Sequence, residues 1–287
     1  MGRDGFKEDG AVDQKARETK KKVKLIKNLP TLPDILDKIS RMVESKQYSA
    51  NDIARVISQD QVLTAKVLKL ANSAFYGFSR SINSVGQALV LLGFQVVKGL
   101  ILSSSVFDIV QRRATDLWKH SLAVATISGI LAQRIGMKAP EESNLAGLLH
   151  DLGKVIMAVN MIEELDQVME LCEKGKTGIQ AEQKVFGFTH MEAGTWLAEA
   201  WKLPVDLTDP ITFHHDPAGA KERPMETSIV HLADILAKAR GFGFGKDVWV
   251  PPLQKGTLER LGLSVDDMDE IVPQVHQTLV SVSDLEN

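Results

Sequence analysis

The chain has very little cysteine, few aromatic residues and no excess of charge of one sign. Its single cysteine, Cys172, excludes internal disulfides and thiolate-rich zinc sites, and is typical of a reduced compartment. Aromatic residues make up only 6% of the 287 positions. The formal net charge of −3 does not indicate a broad electrostatic surface for nucleic acid.

Long hydrophobic runs are also lacking. The first 24 residues are charged and contain no apolar segment of a secretory signal. The most apolar stretch, residues 82–107, is interrupted by Gly86, Gly93, Gln95 and Lys98. It therefore predicts two buried helices rather than the run of roughly 18 apolar residues that spans a membrane. We expect a cytoplasmic protein that contacts neither membrane nor nucleic acid.

Helical periodicity is present almost without interruption after Leu32. Ile35, Ile39 and Val43 recur at helical spacing, and the amphipathic pattern that follows residue 61 is expected to end at Gly77. The segment 84–87 (SVGQ) has the spacing of a capping box and should begin the next helix. Alternating strand patterns are not found, so we predict an all-α fold with short connections.

A polar break at residues 111–116 (QRRATD) divides the helical pattern into two parts. All seven histidines come after this break and none before it. We therefore predict an N-terminal helical bundle without chemistry, followed by a helical part that carries a site. The predicted boundaries are a flexible tail at 1–23, an N-terminal helical subdomain at 24–112, a helical metal-site subdomain at 113–242, and a loop with C-terminal helices at 243–287 that pack on the same body.

The predicted helix from Thr115 to Arg134 carries a histidine on its apolar face. His120 lies on one stripe with Val124, Ile127 and Leu131. Asp116 precedes His120 by one turn on that stripe, so both are expected to face inward. For this helix alone, a buried Asp–His pair without further function is the favoured interpretation.

The heptapeptide LLHDLGK, residues 148–154, ends an apolar helix with two adjacent polar residues. Neighbours on a helix diverge by roughly 100°, so His150 and Asp151 cannot both be passive core residues. Lys154 follows His150 by four positions and can reach the same space. An HD-x-G-K sequence after an apolar helix is more specific than an HD pair alone.

Further polar residues lie on apolar helix faces downstream. His190 shares a face with apolar residues of the next helix, and FHHDP places His214 beside His215. In SIVHLADILAKA, Asp234 is expected to point inward. His231 is expected to contact a residue of the site rather than to bind a metal itself.

Taken singly, each position fits a hydrogen-bonded polar group in a helical core, but together they are costly to bury. Each buried, unpaired polar group costs about 1–3 kcal/mol, and a charge costs more. Shared metal ions would pair all of them. Imidazole and carboxylate without thiolate favour octahedral divalent ions, so we expect two ions, iron or manganese first, with nickel, magnesium or zinc as alternatives.

The spacing H…HD…D resembles that of the HD superfamily of metal-dependent phosphohydrolases. The resemblance implies a first metal bound by His120, His150, Asp151 and Asp234, with Asp151 bridging to a second metal. It also implies that His190 and His214 bind the second ion and that Lys154 holds a substrate phosphate. His215 and Asp116 match further metal ligands of the HD-GYP branch, the cyclic di-GMP phosphodiesterases.

The N-terminal half is similar to the HDOD domain, the HD-related output domain of bacterial signalling proteins. The similarity rests on LPTLPDIL, VISQDQVLTAKVLKLANSAFYG and INSVGQALVLLG and covers roughly Val23 to Ala239. It implies a regulator, since HDOD domains as a class have no established catalysis. The segment after His215, HHDPAGAKERP, lacks the Gly-Tyr-Pro motif, which argues against cyclic di-GMP hydrolysis.

Three hypotheses follow. The first is a regulatory HDOD protein whose di-metal centre stabilises the fold or binds a phosphorylated ligand, with a signalling partner on the N-terminal half. The second is an active phosphohydrolase or nucleotide phosphodiesterase, in which Lys154 neutralises a phosphate oxygen and His215 assists proton transfer. The third is a helical interaction scaffold with a groove near Phe75 and Tyr76.

Overall fold

The computed structural model describes residues 32–45, 47–72, 76, 81–111, 115–247 and 249–283. The predicted tail at 1–23 and residues 112–114 of the predicted break lie outside the described residues. Within them the chain is all-α, as predicted, apart from one isolated bridge between Phe244 and Asp247.

The N-terminal half consists of three short helices packed against one long helix. Ser49 begins the second of them with a capping box, in which its hydroxyl accepts from the Asp52 N–H and the Asp52 carboxylate accepts from the Ser49 N–H. The first three helices all contact the fourth. The bounds are α1 Leu32–Glu44, α2 Ala50–Ile57, α3 Gln61–Ala71 and α4 Val85–Gln111.

The apolar helix α4 is broken once, at Gly93, whose φ of 78° and ψ of 168° are not helical. The two predicted helices are thus two segments of α4. By length and composition Val85–Ser103 could cross a membrane, but 56% of it is buried within the protein, as in the core helix of a soluble protein. One half of the predicted capping box is present, since Ser84 accepts from the Gln87 N–H at 3.1 Å, whereas the Gln87 side chain accepts from the Asn83 N–H.

Helix α3 ends at Ala71. The sequence pattern predicted an end six residues later, at Gly77. Asn72 caps the helix, and its side-chain amide forms two 2.7 Å hydrogen bonds with the backbone of Ile82. Tyr76, beside which the scaffold hypothesis placed its groove, is 7% exposed, and that groove stays a prediction. Phe75 and Gly77 lie outside the described residues.

The C-terminal half contains ten helices among the described residues. The predicted helix from Thr115 to Arg134 has those bounds, and Thr189 caps the helix that carries His190. The bounds are α5 Thr115–Arg134, α6 Pro140–Leu149, α7 Leu152–Asn160, α8 Ile162–Glu173, α9 Gly178–Phe186, α10 His190–Ala200, α11 Val205–Phe213, α12 Pro224–Ala239, α13 Thr257–Leu261 and α14 Met268–Ser283.

Glycines allow the central helices to approach closely. Helices α5 and α6 are in extensive contact, and a Cβ on Gly147 would lie 2.9 Å from the Ala125 Cα. Helices α7 and α10 cross at Gly153, where a Cβ would come within 1.8 Å of the His190 carbonyl oxygen. In this packing, ends of α6, α7, α10 and α11 and buried faces of α5 and α12 carry the predicted site residues.

One buried apolar core continues from Ile39 in α1 to Leu279 in α14. Helix α4 contacts α5, α6 and α7, so the two halves pack against each other. The C-terminal helix α14 packs on α5, and its residues Ile271 and Val275 are buried. The division into subdomains near residue 112 stays a prediction.

Candidate metal centre

The predicted ligands come from helix ends and helix faces that converge in the C-terminal half. His120 lies on the buried face of α5, and His150 and Asp151 form the junction between α6 and α7. His190 is the first residue of α10, and Asp234 lies on the buried face of α12. His214 caps the C-terminal end of α11, and His215 follows it.

The first group of donors surrounds His120. Its Nε2 lies 3.2 Å from the Nε2 of His150, 3.3 Å from Oδ2 of Asp151 and 3.1 Å from Oδ1 of Asp234. His150 Nε2 is 3.4 Å from the same Asp151 oxygen. These four residues are the ones that the HD pattern assigns to the first metal.

The second group surrounds His190. Its Nε2 lies 3.2 Å from the Nε2 of His214 and 3.4 Å from Oδ1 of Asp151. His214 Nε2 is 3.7 Å from that oxygen. His215 stacks on His214 with ring centroids 4.3 Å apart, and His190, His214 and His215 each offer a donor atom within 4.8 Å of the others.

Asp151 joins the two groups because each of its carboxylate oxygens faces a different one. Oδ2 faces His120 and His150, and Oδ1 faces His190 and His214. Oδ1 of Asp151 and Oδ1 of Asp234 are both buried without a hydrogen-bond partner. Buried carboxylate oxygens without a donor are costly, and here both point at imidazole nitrogens.

The protonation of the rings follows from what their outer nitrogens contact. Nδ1 of His120 lies 2.6 Å from the Phe242 carbonyl oxygen, and Nδ1 of His150 lies 2.7 Å from that of Gly147. Nδ1 of His214 likewise faces the carbonyl of Pro210 at 3.1 Å. Because a carbonyl oxygen only accepts, each Nδ1 carries the proton and each Nε2 presents a lone pair to the centre.

Lone pairs of two neutral imidazoles at 3.2 Å repel each other unless a cation lies between them. An added proton on one ring of each pair would relieve the repulsion, and so would a metal ion in each group. Two divalent ions would also satisfy the unpartnered oxygens of Asp151 and Asp234. The donor set of imidazole and carboxylate therefore fits divalent metal ions.

The charges inside the centre keep its two aspartates ionised. Burial raises the pKa of Asp151, but His150 and Lys154 outweigh burial and hold that pKa well below its usual value. Burial also raises the pKa of Asp234, and there Lys238 and His120 outweigh it. Both carboxylates are therefore available as anionic ligands.

The rings nearest the second group are held neutral. Burial lowers the pKa of His214 well below its usual value, and the neighbouring His150 and His190 lower it further. Burial, followed by the neighbouring His214 ring and the charge of Lys238, has the same effect on the pKa of His215. A neutral imidazole is the form that binds a metal or accepts a proton.

Two buried lysines neutralise the carboxylates. Lys154 Nζ donates to Oδ2 of Asp151 at 2.8 Å, and the Phe244 ring lies 6.0 Å from that ammonium. Lys238 Nζ donates to Oδ2 of Asp234 at 2.9 Å. Burial lowers the pKa of Lys154, but the charge of Asp151 and the more distant acids raise it overall. Lys154 therefore carries a positive charge in the centre.

Sequence reasoning missed Lys238 and Glu182. Lys238 follows Asp234 by one helical turn, which is a spacing that could have indicated it. Glu182 lies on α9, and its carboxylate contacts Nδ1 of His190 at 2.7 Å. It is 3% exposed, and a buried glutamate eight residues before His190 has no signature in sequence alone.

The expectation that Asp116 faces inward is wrong, because its side chain is exposed. It belongs to the first turn of α5, where Thr115 is exposed as well, so the stripe that is buried at His120 reaches solvent one turn earlier.

His215 lies at the edge of the centre, with Nδ1 3.9 Å from Oδ2 of Asp234. His231 supports His214 from behind, since its Nδ1 lies 2.6 Å from the His214 carbonyl oxygen.

The centre is nearly closed to solvent. Side chains of its ligands are between 0% and 2% exposed, and His215 reaches 9%. An apolar cavity of about 20 Å³ reaches Asp151 between α4, α5, α6 and α7, with Leu117, Leu152 and Val155 in its wall. A cavity of that size accommodates about one water molecule.

Comparison with known proteins shows a family and several curated proteins that this sequence resembles. The HDOD domain model matches residues 29–217. A protein of Treponema pallidum is 29% identical over 219 residues, which cover 74% of this chain and 43% of that protein. Ribonuclease Y of Thermus thermophilus is 32% identical over 150 residues, which cover 52% of this chain and 21% of the enzyme. The chain thus spans less than half the length of these curated relatives.

Solved structures share the fold. A crystal structure of an HDOD domain protein from Geobacter sulfurreducens matches with a TM-score of 0.70 and 30% identity, covering 94% of this chain and 97% of that one. A protein from Shewanella amazonensis matches with a TM-score of 0.66 and 24% identity over 93% of each chain, which shows the fold alone.

Proposed function

The chain belongs to the HDOD family, and on that premise we propose that it is a bacterial cytoplasmic signalling protein with an HD-type di-metal centre. Its role is that of a regulatory output module. The centre stabilises the C-terminal half and binds a phosphate-bearing ligand, whose presence is relayed to a partner.

The observation that carries the metal centre is the convergence of four imidazole nitrogens on one carboxylate. His120 and His150 face one oxygen of Asp151, and His190 and His214 face the other. Their outer nitrogens are held by acceptors, so the lone pairs meet inside the protein. This arrangement supports binding of two divalent ions, for which iron and manganese have the best-matched ligand chemistry.

Closure of the centre favours regulation over turnover of a large substrate. The ligand side chains are buried, and Oδ2 of Asp151 and Oδ2 of Asp234 already accept hydrogen bonds from Lys154 and Lys238. A ligand that reaches the centre must be small or must displace these lysines. A phosphate group suits both conditions, because its oxygens can replace the aspartate as partners of Lys154 and can reach His215.

Metal content is the first experiment. Anaerobically purified wild type and Asp151→Asn should be compared by mass spectrometry of bound metals. We expect about two iron or manganese ions per chain in the wild type and a strong loss in the variant, since Asp151 faces both groups. Metal-free wild type after growth with both metals would contradict the proposal.

Phosphate binding is tested on the metal-loaded protein by titration calorimetry with inorganic phosphate. Lys154→Met should lose this binding, because it removes the ammonium that now holds Asp151, whereas Lys174→Met should bind as the wild type does. Lys174 is exposed and pairs with Glu170 on α8. Equal phosphate affinity in both variants would show that Lys154 does not bind the phosphate.

A second candidate function is phosphohydrolysis, which the similarity to ribonuclease Y favours. Bound divalent ions would supply a nucleophile at neutral pH by acidifying water. Lys154 would hold a phosphate oxygen, and neutral His215 would accept a proton. Metal-loaded protein should be assayed with nucleotides, cyclic dinucleotides and a short oligoribonucleotide. Turnover that is lost in His215→Ala would favour this candidate, and inactivity with all three would exclude these substrate classes.

A partner protein on the N-terminal half is part of the leading proposal. Val90 and Leu91 are adjacent on α4 and are 77% and 47% exposed, so they offer an apolar surface to a partner. Replacing both with aspartate should abolish co-purification with a signalling partner while metal content stays unchanged. Unchanged co-purification would exclude this face of α4.

A further inference from the structure

One of the four inward-facing histidines is held differently from the other three. The outer nitrogens of His120, His150 and His214 contact neutral backbone carbonyl oxygens. The outer nitrogen of His190 contacts the carboxylate of Glu182, at 2.9 Å from Oε1 and 2.7 Å from Oε2. The two groups of donors are therefore not chemically equal.

The Glu182 carboxylate is placed by its own set of donors. Oε2 also accepts from the backbone N–H of His190 at 2.8 Å, at the N-terminal end of α10 where N–H groups lack helical partners. The glutamate lies on α9, is 3% exposed and has Lys154 as a nearby positive charge. A carboxylate buried this deeply is expensive, so its contact with a single histidine calls for an explanation beyond packing.

A carboxylate behind an imidazole strengthens the imidazole as a metal ligand. It fixes the ring orientation and the tautomer, and it draws the Nδ1 proton away from the ring, so that Nε2 donates more electron density. A backbone carbonyl fixes the orientation but carries no full charge. The second group should therefore bind its ion more tightly with the Glu182 carboxylate behind His190 than it would with a backbone carbonyl in that place.

We propose that Glu182 is a positioning residue that determines ion binding in the second group, formed by His190, His214 and Asp151. The inference rests on the proposed metal centre and deepens it. The first group, around His120 and His150, does not depend on Glu182. The charge of Glu182 thus decides whether the centre contains one ion or two at limiting metal concentration.

The experiment compares Glu182→Gln with Asp209→Asn in the full chain. Glutamine keeps the size of the side chain and an acceptor oxygen, but removes the charge. Asp209 is likewise buried, and its carboxylate accepts the N–H groups of Glu222 and Arg223, so it provides a matched loss of charge away from the ligands. Metal-free protein is titrated with manganese(II), and the free ion is followed by electron paramagnetic resonance.

We expect two ions per chain in the wild type and in Asp209→Asn, with the spin-coupled spectrum of two neighbouring ions. In Glu182→Gln the first ion should bind as before, the second should weaken about 10- to 100-fold, and the spectrum should be that of an isolated ion. If Glu182→Gln binds both ions as tightly as the wild type, or loses both equally, the inference is wrong although the metal centre stands. If the wild type binds none, the metal centre itself fails.

Folding is followed separately by thermal unfolding of the metal-free proteins. Should Glu182→Gln not fold, Glu182→Asp serves instead, because it retains the charge at a greater distance from His190. The inference then requires weaker binding of the second ion alone. Equal weakening of both ions in Glu182→Asp would show a structural role and overturn it.

Discussion

Asn72 shows how a single side chain can replace a piece of secondary structure. Its amide accepts from the Ile82 N–H and donates to the Ile82 carbonyl, both at 2.7 Å, and also donates to the Leu68 carbonyl at 2.9 Å. The side chain thereby ties the end of α3 to the segment before α4. The asparagine belongs to the sequence stretch that most resembles the HDOD domain. Its hydrogen bonds to Leu68 and Ile82 are a structural reason for an asparagine at this position.

Asn72→Ala should destabilise the protein by about 2–3 kcal/mol, since each hydrogen bond contributes about 1 kcal/mol and the Ile82 backbone groups lose their partner. Urea unfolding followed by circular dichroism measures the change. Asn51→Ala, at an exposed position of α2, is the control and should unfold like the wild type. Equal midpoints for both variants would contradict the role of Asn72.

Cys172 provides a second prediction at this scale. Burial raises the pKa of its thiol to about 11, and the charges of Asp247 and Glu182 contribute to the increase. The raised pKa keeps the thiol protonated at neutral pH, and only the thiolate reacts. Reaction with a thiol reagent at pH 8 should therefore be slow in the folded protein and fast in urea. Rapid reaction of the native protein would show that Cys172 is accessible as thiolate.

At the scale of elements, the centre depends on how closely two helices cross. The HD-x-G-K sequence places Gly153 on α7 against the His190 carbonyl at the start of α10. Gly194 faces the same crossing, since a Cβ on Gly153 would lie 2.7 Å from its backbone nitrogen. Gly153 thus allows two segments that carry candidate ligands to approach each other, and it does not form a turn.

Gly153→Ala should cost about 3 kcal/mol or more, because the added Cβ meets backbone atoms that cannot rotate away. Separation of α7 from α10 should also move His190 away from Asp151 and lower the metal content. Gly86→Ala is the matched control, since its Cβ would find its nearest neighbours at 3.8 Å and alanine favours a helix. Retention of both stability and metal by Gly153→Ala would contradict this account.

At the scale of the whole molecule, the centre extends beyond the part that matches the family model. That match ends at residue 217, yet the Phe242 carbonyl holds His120 and the Phe244 ring lies beside Lys154. The Gln254 N–H donates to Nε2 of His231, which in turn contacts the backbone of His214. The C-terminal segment therefore contacts His120, Lys154 and His231.

A chain that ends at residue 240 should lose stability and fail to retain two metal ions. It lacks the acceptor for His120 and the apolar face of α14 that packs on α5. Thermal unfolding and metal analysis beside the full chain test this expectation. A fragment that is as stable and as metal-loaded as the full chain would show that residues 241–287 are dispensable for the centre.

The sequence by itself determined the helical class and most of the candidate ligand set. Helical spacing placed His120 and Asp234 on buried faces, and the HD pair at a helix junction indicated a shared site, because these signals depend only on neighbours within a turn or two. The same spacing failed at Asp116, since burial of a first turn depends on what packs against it.

Only the tertiary structure decided how the ligands are oriented and charged. His120 and the Phe242 carbonyl that holds it are 122 positions apart, and a backbone carbonyl has no signature in a sequence. Glu182 is assigned only by its distance to His190. Local periodicity determines which face a side chain occupies, but its partner across the core is selected by helix crossings such as that at Gly153.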